Sequence, residues 1–376
     1  MSHILVTNDF PPKLGGIQSY LYDLWSRLDP SSFEVLTISY PGDHIFDAKQ
    51  KFAIHRLDEK MLLPTPKIRH AVEKVIRDSQ ASFVVLDPVL PLGLLGPQLG
   101  VPYGVILHGA EITVPARLPG TKSLLAKVVK NADLVISAGN YALREAEVVV
   151  GEKLPESVVI LPGIDVKRFR VFSDKEKELA REKLFLPSDA FIITSVSRLV
   201  PRKGMDVLIE AVADLAKTRQ NLFLAIAGAG RDYQRLAKLA ISLKAPVEFL
   251  HKVSDEDLPA LLGASDLFAM ICRNRWFSLE QEGYGIVFNE AGAAGLASVA
   301  GKSGGVPEAV LDEKTGVIVD RPGDVMVAKQ ALAKLIDDNI LRSEYGKAAR
   351  FRMEKELDND ILAKTLSDAL KKYENG

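Results

Sequence analysis

The sequence alternates short, β-branched apolar runs with helical patterns along almost its whole length, and it does so in two successive series. The first series predicts strands at Ile4–Thr7, Glu34–Ser39, Phe83–Leu86, Tyr103–Leu107, Leu134–Ser137 and Val158–Leu161, with helices at Ile17–Leu28, Ile68–Asp78, Leu124–Asn131 and Tyr141–Val149. The second series predicts strands at Phe191–Ser195, Leu222–Ala227, Val247–Leu250, Leu267–Ile271, Ser298–Ala300 and Gly316–Val319. Such alternation is typical of βαβ units with parallel strands. The sequence therefore predicts two doubly wound α/β domains of similar size.

A break in the pattern separates the two series. Residues 162–165 interrupt the apolar runs with a proline and a glycine, and a charged stretch follows. We therefore place the domain boundary near residue 165, with residues 1–165 forming the first domain and residues 166–357 the second. The last pattern in the chain is helical, and we expect residues 358–376 to pack back onto the first domain.

Composition narrows the class of protein. With 376 residues, the chain is long enough for two domains that each bury a core. A formal net charge of -1 argues against a general nucleic-acid-binding protein, which usually carries a basic excess. Cys272 is the only cysteine, so an intrachain disulfide is excluded and a reducing compartment is expected. The start of the chain lacks the pattern of a secretion signal, and no run reaches about 18 uninterrupted apolar residues. These features predict a cytoplasmic protein that does not span a membrane.

The strand predicted at Phe191–Ser195 leads into a basic loop that runs from Ser197 to Gly204 and ends where a helix is predicted to begin at Met205. Ligands of parallel sheets bind beyond the carboxyl ends of the strands. There, arginine can bind a phosphate through two hydrogen bonds, and lysine can bind one as a point charge. The loop therefore predicts a diphosphate site formed by Arg198 and Lys203. A solvated basic loop is the alternative.

A second loop, further along the same domain, leads into an Ala- and Gly-rich helix. The glycines at its start, Gly285 among them, allow the backbone to approach a ligand, and the amides of Ile286 and Val287 are predicted to point at an anion from a helix N-terminus. Glu282, in the loop, and Glu290, about two turns into the helix, can accept hydrogen bonds from the hydroxyls of a sugar and a ribose. The alternative assigns both carboxylates to the helix dipole.

Two loops of the first domain also follow predicted strands. Gly15 and Gly16 join the first strand to the first helix and permit close backbone approach to a phosphate, although an ordinary tight turn is the alternative. His108 follows the strand Tyr103–Leu107 in the sequence His108-Gly109-Ala110-Glu111, where it is placed to touch a substrate. A structural histidine is the alternative there.

Three other features are weaker indications of a functional site. Gly228-Ala229-Gly230 resembles half of a dinucleotide-binding fingerprint, but Tyr233 occupies the position of the third glycine. Asp358 and Asp360 form a D-x-D pattern, which an N-cap at the last helix explains. The histidines and the cysteine show no metal-ligand spacing.

Basic and apolar residues are interleaved in two segments of the first domain, from Lys60 to Arg77 and from Arg117 to Lys130. Such a combination suits docking on an anionic membrane surface. An amphipathic helix packed against the core is the alternative.

Taken together and in this order, the motifs resemble those of the retaining glycosyltransferases of family GT4. That resemblance implies the GT-B fold, in which two Rossmann-like, doubly wound parallel-sheet domains face a central cleft. It covers nearly the whole chain, and the segments that carry it are Gly15-Gly16, His108–Glu111, Ser197-Arg198, Lys203-Gly204, Glu282 with Glu290 in an E-x7-E pattern, and Ser303–Glu308.

Within that family, the segments Val6–Pro12, Gly15–Tyr20 and Ser197–Gly204 look like those of the actinobacterial mannosyltransferases of phosphatidylinositol mannoside synthesis. The resemblance implies GDP-mannose as the donor and a phosphatidylinositol monomannoside as the acceptor of a second mannose, at the inositol 6-position. It also implies a peripheral association with the inner face of the cell membrane, no nucleic-acid partner and no metal cofactor.

The resemblance further implies residue roles. Glu290 binds the ribose, Glu282 binds the mannose hydroxyls, His108 lies beside the anomeric centre, and the main chain of Leu250–Val253 lies along the base. The stretch Arg273–Gln281 is longer than in many members, so the wall of the sugar pocket departs from the family pattern. The implied catalytic residues are His108, Arg198, Lys203 and Glu282, and the implied donor-binding residues are Gly16, Arg198, Lys203, Lys252, Val253, Glu282, Gly285, Ile286, Val287 and Glu290.

Two other classes of protein stay open on the residues alone. A two-domain dehydrogenase would use the loop at Gly228, and a non-catalytic sugar or nucleotide binding protein would use the cleft without chemistry. Neither class explains why the basic loop, the glutamate pair and His108 occur together.

Overall fold

A computed structural model describes residues 2–109, 112, 120–276 and 278–374 of the chain. The chain divides into two compact units. One comprises Met1–Gly163 together with Asn359–Gly376, and the other comprises Ile164–Asp358. The division lies beside the boundary that the sequence places near residue 165, and the chain returns to the first unit at its last helix.

The first unit is built on a seven-stranded sheet in which every strand pairs in parallel, in the order β3-β2-β1-β4-β5-β6-β7. Its strands are β1 (His3–Thr7), β2 (Phe33–Ile38), β3 (Ala53–Leu57), β4 (Phe83–Asp87), β5 (Tyr103–Leu107), β6 (Leu134–Ser137) and β7 (Glu156–Val159). Strand β3 was not predicted from the sequence, because this edge strand is only partly buried and has no continuous apolar run. Strand β7, at the opposite edge, begins before the predicted Val158–Leu161.

Helices cover both faces of this sheet. They are α1 (Gly16–Trp25), α2 (Asp43–Asp47), α3 (Pro66–Ser79), α4 (Thr121–Lys130), α5 (Asn140–Val150) and the final helix, α14 (Asn359–Glu374). One face carries α3, α4 and α5, which share a continuous apolar core through residues such as Val72, Val128 and Ala146. On the other face α14 packs against α1, and the ring of Tyr373 stacks on Phe83 at 4.4 Å between centroids.

The second unit contains a six-stranded parallel sheet in the order β10-β9-β8-β11-β12-β13. Its strands are β8 (Phe191–Val196), β9 (Leu222–Ala227), β10 (Val247–His251), β11 (Leu267–Met270), β12 (Ser298–Gly301) and β13 (Gly316–Val319). Its helices are α6 (Asp174–Lys183), α7 (Met205–Ala216), α8 (Tyr233–Leu243), α9 (Leu258–Gly263), α10 (Ile286–Ala293), α11 (Val306–Ala309), α12 (Val325–Asp337) and α13 (Asn339–Lys355).

The strand orders fix where each unit can bind a ligand. In the second sheet the chain moves outward from β8 through β9 to β10 and then returns to the other side of β8 with β11. The first sheet reverses in the same way between β1 and β4. Loops diverge at such a switch point and leave a crevice at the carboxyl ends of the strands. The strand orders therefore predict ligand sites at the loops after β8 and β11 and at the loops after β1 and β4.

Within the described ranges, no helix combines the length and apolar character needed to cross a bilayer.

Candidate active site

The basic loop lies at the carboxyl end of β8, and its two predicted phosphate ligands differ in exposure. Arg198 is exposed, and its guanidinium forms no hydrogen bond or ion pair with another of the described residues. A short 3-10 turn, Pro201–Lys203, follows and turns Lys203 inward, where it is buried. Helix α7 then begins at Met205, as predicted.

Lys203 and Glu282 form a buried ion pair. The distance from Lys203 Nζ to Glu282 Oε2 is 2.7 Å, and the two side chains are only 9% and 11% exposed. The two residues come from the loops after β8 and β11, which are neighbouring strands although β9 and β10 lie between them in the sequence. The structure thus brings one predicted phosphate ligand and one predicted sugar ligand into direct contact.

The pair continues into a chain of alternating charges. Arg202 Nε lies 3.5 Å from Glu282 Oε2, and its Nη1 lies 3.8 Å from Glu280 Oε1. Glu280 is also bound by Arg275 Nη1 at 3.0 Å. Three cations and two carboxylates therefore alternate here, so the cluster retains a positive charge that favours an anion. The sequence pointed to Lys203 and Glu282 but not to Arg202, Glu280 or Arg275 as partners.

The main chain of Glu282 is held by the loop Ser303-Gly304-Gly305. Its N–H donates to Ser303 Oγ at 3.0 Å, and its carbonyl accepts from the Gly305 N–H at 3.2 Å. A Cβ on Gly304 would lie 2.0 Å from the Glu282 carbonyl oxygen, and its φ of +49° is one that side chains rarely adopt. The segment from Ser303 to Glu308, which the sequence placed among the family motifs, thus acts as a support for Glu282.

Helix α10 presents its N-terminus at the same edge of the sheet. Gly285 precedes it with a left-handed φ of 88°, and Ile286 and Val287 are its first residues. Their amides are among the donors that a helix start leaves without an intrahelical acceptor. Glu290 is the fifth residue of the helix, slightly more than one turn in, so the predicted position about two turns in is wrong.

Cys272 lies beside this cluster, with its Sγ 4.0 Å from Glu282 Oε2. Burial raises the pKa of the thiol to about 12, and the negative charge of Glu282 adds to the effect. Cys272 is therefore a neutral, inert residue of the site wall.

The glycines of Gly228-Ala229-Gly230 pack against the basic loop. A Cβ on Gly228 would lie 1.8 Å from the carbonyl oxygen of Ser197, and one on Gly230 would lie 2.2 Å from that of Leu199. The Leu199 N–H also donates to the Ala229 carbonyl at 2.9 Å. The close approach of two protein loops explains these glycines, which removes the main sequence argument for a dinucleotide-binding dehydrogenase.

The segment implied to lie along a base follows β10. His251, its last residue, has a left-handed φ of 52°, and its carbonyl accepts from the N–H of Gly228. Lys252 is exposed, whereas Val253 packs against the apolar core beside β8 and β9.

In the first unit, His108 lies at the carboxyl end of β5 and is largely buried. Its Nε2 is 2.6 Å from Asp87 Oδ1, and Thr7 Oγ1 donates to Asp87 Oδ2 at 2.6 Å. Sequence reasoning missed Asp87, although an acid that directly ends a buried apolar strand was a usable signal. Glu111, the last residue of the predicted His108 motif, lies outside the described residues.

Gly15 and Gly16 begin helix α1 beside the switch point of the first sheet. Both are exposed, and Gly16 is the first residue of the helix. The preceding loop is ordered by Asp9, whose Oδ1 accepts from Lys13 Nζ at 2.7 Å and from Gln18 Nε2 at 2.5 Å. The loop backbone is therefore fixed while the helix start stays open to an anion.

The predicted site residues thus fall into two groups, each in the loops and helix starts at the carboxyl ends of the strands of its own sheet. His108 and Gly16 belong to the first unit. The second unit holds the remaining ones, namely Arg198, Lys203, Lys252, Val253, Glu282, Gly285, Ile286, Val287 and Glu290.

The chain is similar in sequence to known glycosyltransferases. Residues 176–352 match the profile of the glycosyl transferases group 1 family. The chain is 35% identical over 373 residues to the GDP-mannose-dependent monoacylated alpha-(1-6)-phosphatidylinositol monomannoside mannosyltransferase of Corynebacterium glutamicum, and the match covers 98% of this chain and 97% of that protein. It is 34% identical over 385 residues to the GDP-mannose-dependent alpha-(1-6)-phosphatidylinositol monomannoside mannosyltransferase of Mycobacterium tuberculosis, covering 98% and 97% of the two chains.

Solved structures share the fold over the whole chain. Anabaena HepE in complex with UDP superposes with a TM-score of 0.82 at 19% identity, covering 99% of this chain and 100% of the other. The sucrose-phosphate synthase of Thermosynechococcus elongatus superposes with a TM-score of 0.79 at 20% identity and 99% coverage of both chains. The fold is therefore GT-B. Because its full-length relatives are so similar, the chain belongs to the group 1 glycosyl transferases and, within them, to the same family as the actinobacterial mannosyltransferases.

Proposed function

We propose that this protein transfers mannose from GDP-mannose to a phosphatidylinositol monomannoside, with retention of configuration, and so adds the second mannose, at the inositol 6-position. The observation that carries the proposal is the Lys203–Glu282 ion pair at the second switch point. Its support from the comparisons is that full-length relatives are named GDP-mannose-dependent phosphatidylinositol monomannoside mannosyltransferases. Another nucleotide sugar or glycolipid acceptor within the same family is the alternative.

The diphosphate of the donor is assigned to Lys203, at one end of the charge cluster, and to Arg198. The Lys203 ammonium has three N–H donors. One of them faces Glu282, so the other two can bind phosphate oxygens. Arg198 is exposed and has a planar guanidinium that suits phosphate. The amides at the start of α10 and at Gly16 add donors aimed at negative charge.

The hydroxyl groups of the donor are assigned to the two glutamates. The described contacts of the Glu282 carboxylate fall on Oε2, so Oε1 is the oxygen we assign to the mannose hydroxyls. Glu290 is assigned to the ribose, Lys252 and Val253 to the base, and His108 to the neighbourhood of the anomeric carbon.

In the transfer step, a hydroxyl oxygen of the acceptor forms a bond to the anomeric carbon, and the bond from that carbon to the β-phosphate oxygen breaks. The acceptor proton passes to an oxygen of the departing diphosphate on the same face. Negative charge grows on the diphosphate as the bond breaks, so Arg198, Lys203 and the helix amides stabilise the transition state more than the ground state. Since these cations neutralise the leaving group, the reaction is proposed to need no metal ion.

The acceptor is a membrane lipid, so we propose that the protein is cytoplasmic and docks on the inner face of the membrane. Most apolar residues of α3 and α4 face the core, as the alternative interpretation held, but Met61 and Leu63 before α3 and Leu124 in the first turn of α4 are 54%, 44% and 45% exposed. Both helices start at the carboxyl edge of the sheet and share one face. Exposed Lys60 and Lys122 lie in the same segments and suit anionic headgroups.

Sedimentation with phosphatidylcholine vesicles, with and without phosphatidylinositol, tests the docking. The double variant Met61→Ser, Leu63→Ser should bind the anionic vesicles more weakly. A control is Val148→Ser, at an exposed residue near the opposite end of its helix, and it should bind like the parent. Equal binding of all three proteins contradicts the docking surface.

The activity itself is tested by incubating the purified protein with labelled GDP-mannose or UDP-glucose and either phosphatidylinositol or its monomannoside. The expected product is a labelled dimannoside from GDP-mannose and the monomannoside, with an α-linkage at the inositol 6-position. Label from UDP-glucose alone overturns the donor assignment, and label on phosphatidylinositol itself overturns the acceptor assignment. Binding of GDP-mannose without transfer to any lipid favours a non-catalytic binding protein.

A further inference from the structure

A buried carboxylate lies beside His108 at the switch point of the first sheet. Asp87 is the last residue of β4, directly opposite Thr7 of β1 in the strand register. Its side chain is 1% exposed, and its Oδ1 is 2.6 Å from His108 Nε2. A buried carboxylate is costly unless donors satisfy both oxygens. Here both donors come from side chains at the ends of the two neighbouring strands.

The hydrogen bonds around Asp87 have a definite direction. Thr7 Oγ1 accepts from the main-chain N–H of Asp9 at 2.8 Å, and it contacts Asp87 Oδ2 at 2.6 Å. A hydroxyl has only one hydrogen, and the carboxylate can only accept, so that hydrogen points at Asp87. The remaining oxygen of Asp87 accepts from His108 Nε2. In the neutral ring the hydrogen therefore resides on Nε2, and Nδ1 is the accepting nitrogen.

The ring plane of His108 is fixed as well. The ring of Tyr20 meets it edge-on, with 5.5 Å between centroids and an interplanar angle of 86°. Tyr20 is anchored by its hydroxyl, which donates to the Ile160 carbonyl at 2.9 Å. Burial raises the pKa of Tyr20 well above its ordinary value, and the charge of Asp87 adds to the effect, so the phenol stays a neutral donor.

From this geometry we infer that Asp87 is a positioning residue for the transfer reaction. With Thr7 as its donor, it holds His108 as the Nε2–H tautomer and sets the ring orientation. The inference rests on the proposed function, which assigns His108 to the anomeric carbon. Its consequence is that the neutral ring can accept but not donate a hydrogen bond at Nδ1.

The variant Asp87→Asn tests the inference, because it should change His108 Nε2 from a hydrogen-bond donor into an acceptor. Because the Thr7 hydroxyl still has to donate, the amide oxygen takes the side of Thr7, and the amide N–H group faces His108 Nε2. That nitrogen must then accept, so the ring hydrogen moves to Nδ1. Nitrogen-15 NMR of protein labelled in histidine only, with the His108 signals assigned from a His108→Gln spectrum, reports the tautomer directly.

We expect Nε2–H in the parent, Nδ1–H in Asp87→Asn, and a fall of about 10- to 100-fold in kcat for that variant, since partners that orient an active-site histidine have effects of this order or larger. Thr7→Ser keeps the hydroxyl and should retain the parent tautomer. The affinity of the Asp87→Asn variant for GDP, measured by calorimetric titration, should equal that of the parent.

Two results overturn the inference. One is an Nδ1–H tautomer in the parent, a measurement that does not depend on whether any variant folds. The other is an Nε2–H tautomer in Asp87→Asn with kcat within about twofold of the parent, well below the loss expected for an orienting partner. A tautomer exchange without loss of turnover supports the positioning by Asp87 and contradicts instead the role that the proposed function gives to His108.

Discussion

Replacing Lys203 by methionine removes one charge of the ion pair with Glu282 while keeping an unbranched side chain of similar length. Removing one partner of a fully buried pair costs about 3–5 kcal/mol. Here the side chains retain 9% and 11% exposure, and Arg202 Nε stays 3.5 Å from the same carboxylate oxygen. We therefore expect the free energy of unfolding to fall by about 2 kcal/mol. In a domain of this size that corresponds to a decrease of about 4–8 °C in Tm.

The effect on catalysis should be larger than the effect on stability. The proposed function assigns the Lys203 ammonium to the departing diphosphate, and loss of one preorganised donor of that kind costs about 3–4 kcal/mol in the transition state. Transfer from GDP-mannose should therefore fall by about 10²- to 10³-fold in kcat. Turnover is measured with labelled GDP-mannose and lipid acceptor, and stability by thermal unfolding.

The double variant Lys203→Met, Glu282→Gln separates the two effects. With both charges removed, the free energy of unfolding should return to within about 1 kcal/mol of the parent, because removing a buried pair together is often close to neutral. Transfer should remain as low as in the single variant. Lys238→Met, at an exposed lysine of α8, is the control and should change neither quantity.

Two results would contradict the roles given to Lys203. Near-normal turnover of Lys203→Met with unchanged GDP affinity excludes the ammonium from the diphosphate site. Equal destabilisation of the single and double variants excludes the uncompensated Glu282 charge as the cause of the stability loss.

Four further predictions concern the same unit. Ser303→Ala leaves the buried N–H of Glu282 without its acceptor, so we expect a loss of about 1–3 kcal/mol in the free energy of unfolding and about a tenfold loss of kcat/KM; unchanged kinetics contradict the supporting role of Ser303. Gly228→Ala forces a Cβ to within 1.8 Å of the Ser197 carbonyl, so Tm should fall and KM for GDP-mannose should rise, whereas parent-like values contradict the loop packing. Because burial raises the pKa of the Cys272 thiol to about 12, the native thiol is almost entirely un-ionised at neutral pH, and iodoacetamide should modify it much faster in urea than in the native protein; rapid native labelling contradicts its burial. Transfer should also be unaffected by EDTA, and its loss with recovery on adding a divalent cation contradicts a metal-free diphosphate site.

The sequence predicts the bounds of a strand most accurately where the apolar run and the residues that end it lie within one short segment. The strands Tyr103–Leu107 and Leu222–Ala227 have the predicted bounds, because they are apolar on both faces and end abruptly at polar or glycine residues. The edge strand Ala53–Leu57 was missed, because it has no such run. The glycines at 228 and 230 were assigned to a weak dinucleotide signal, whereas a neighbouring loop explains them.

The two parallel α/β units, and the loops that carry cations and carboxylates at strand ends, could be predicted from local patterns, because hydrophobic periodicity and turn residues lie within each short segment. Which of those side chains meet depends on how the strands are ordered in the folded sheets. Lys203 reaches Glu282 because β11 returns beside β8, and Asp87 joins Thr7 to His108 because β4 lies between β1 and β5. Strand order results from the packing of whole sheets and helices, so no local pattern in the chain records it.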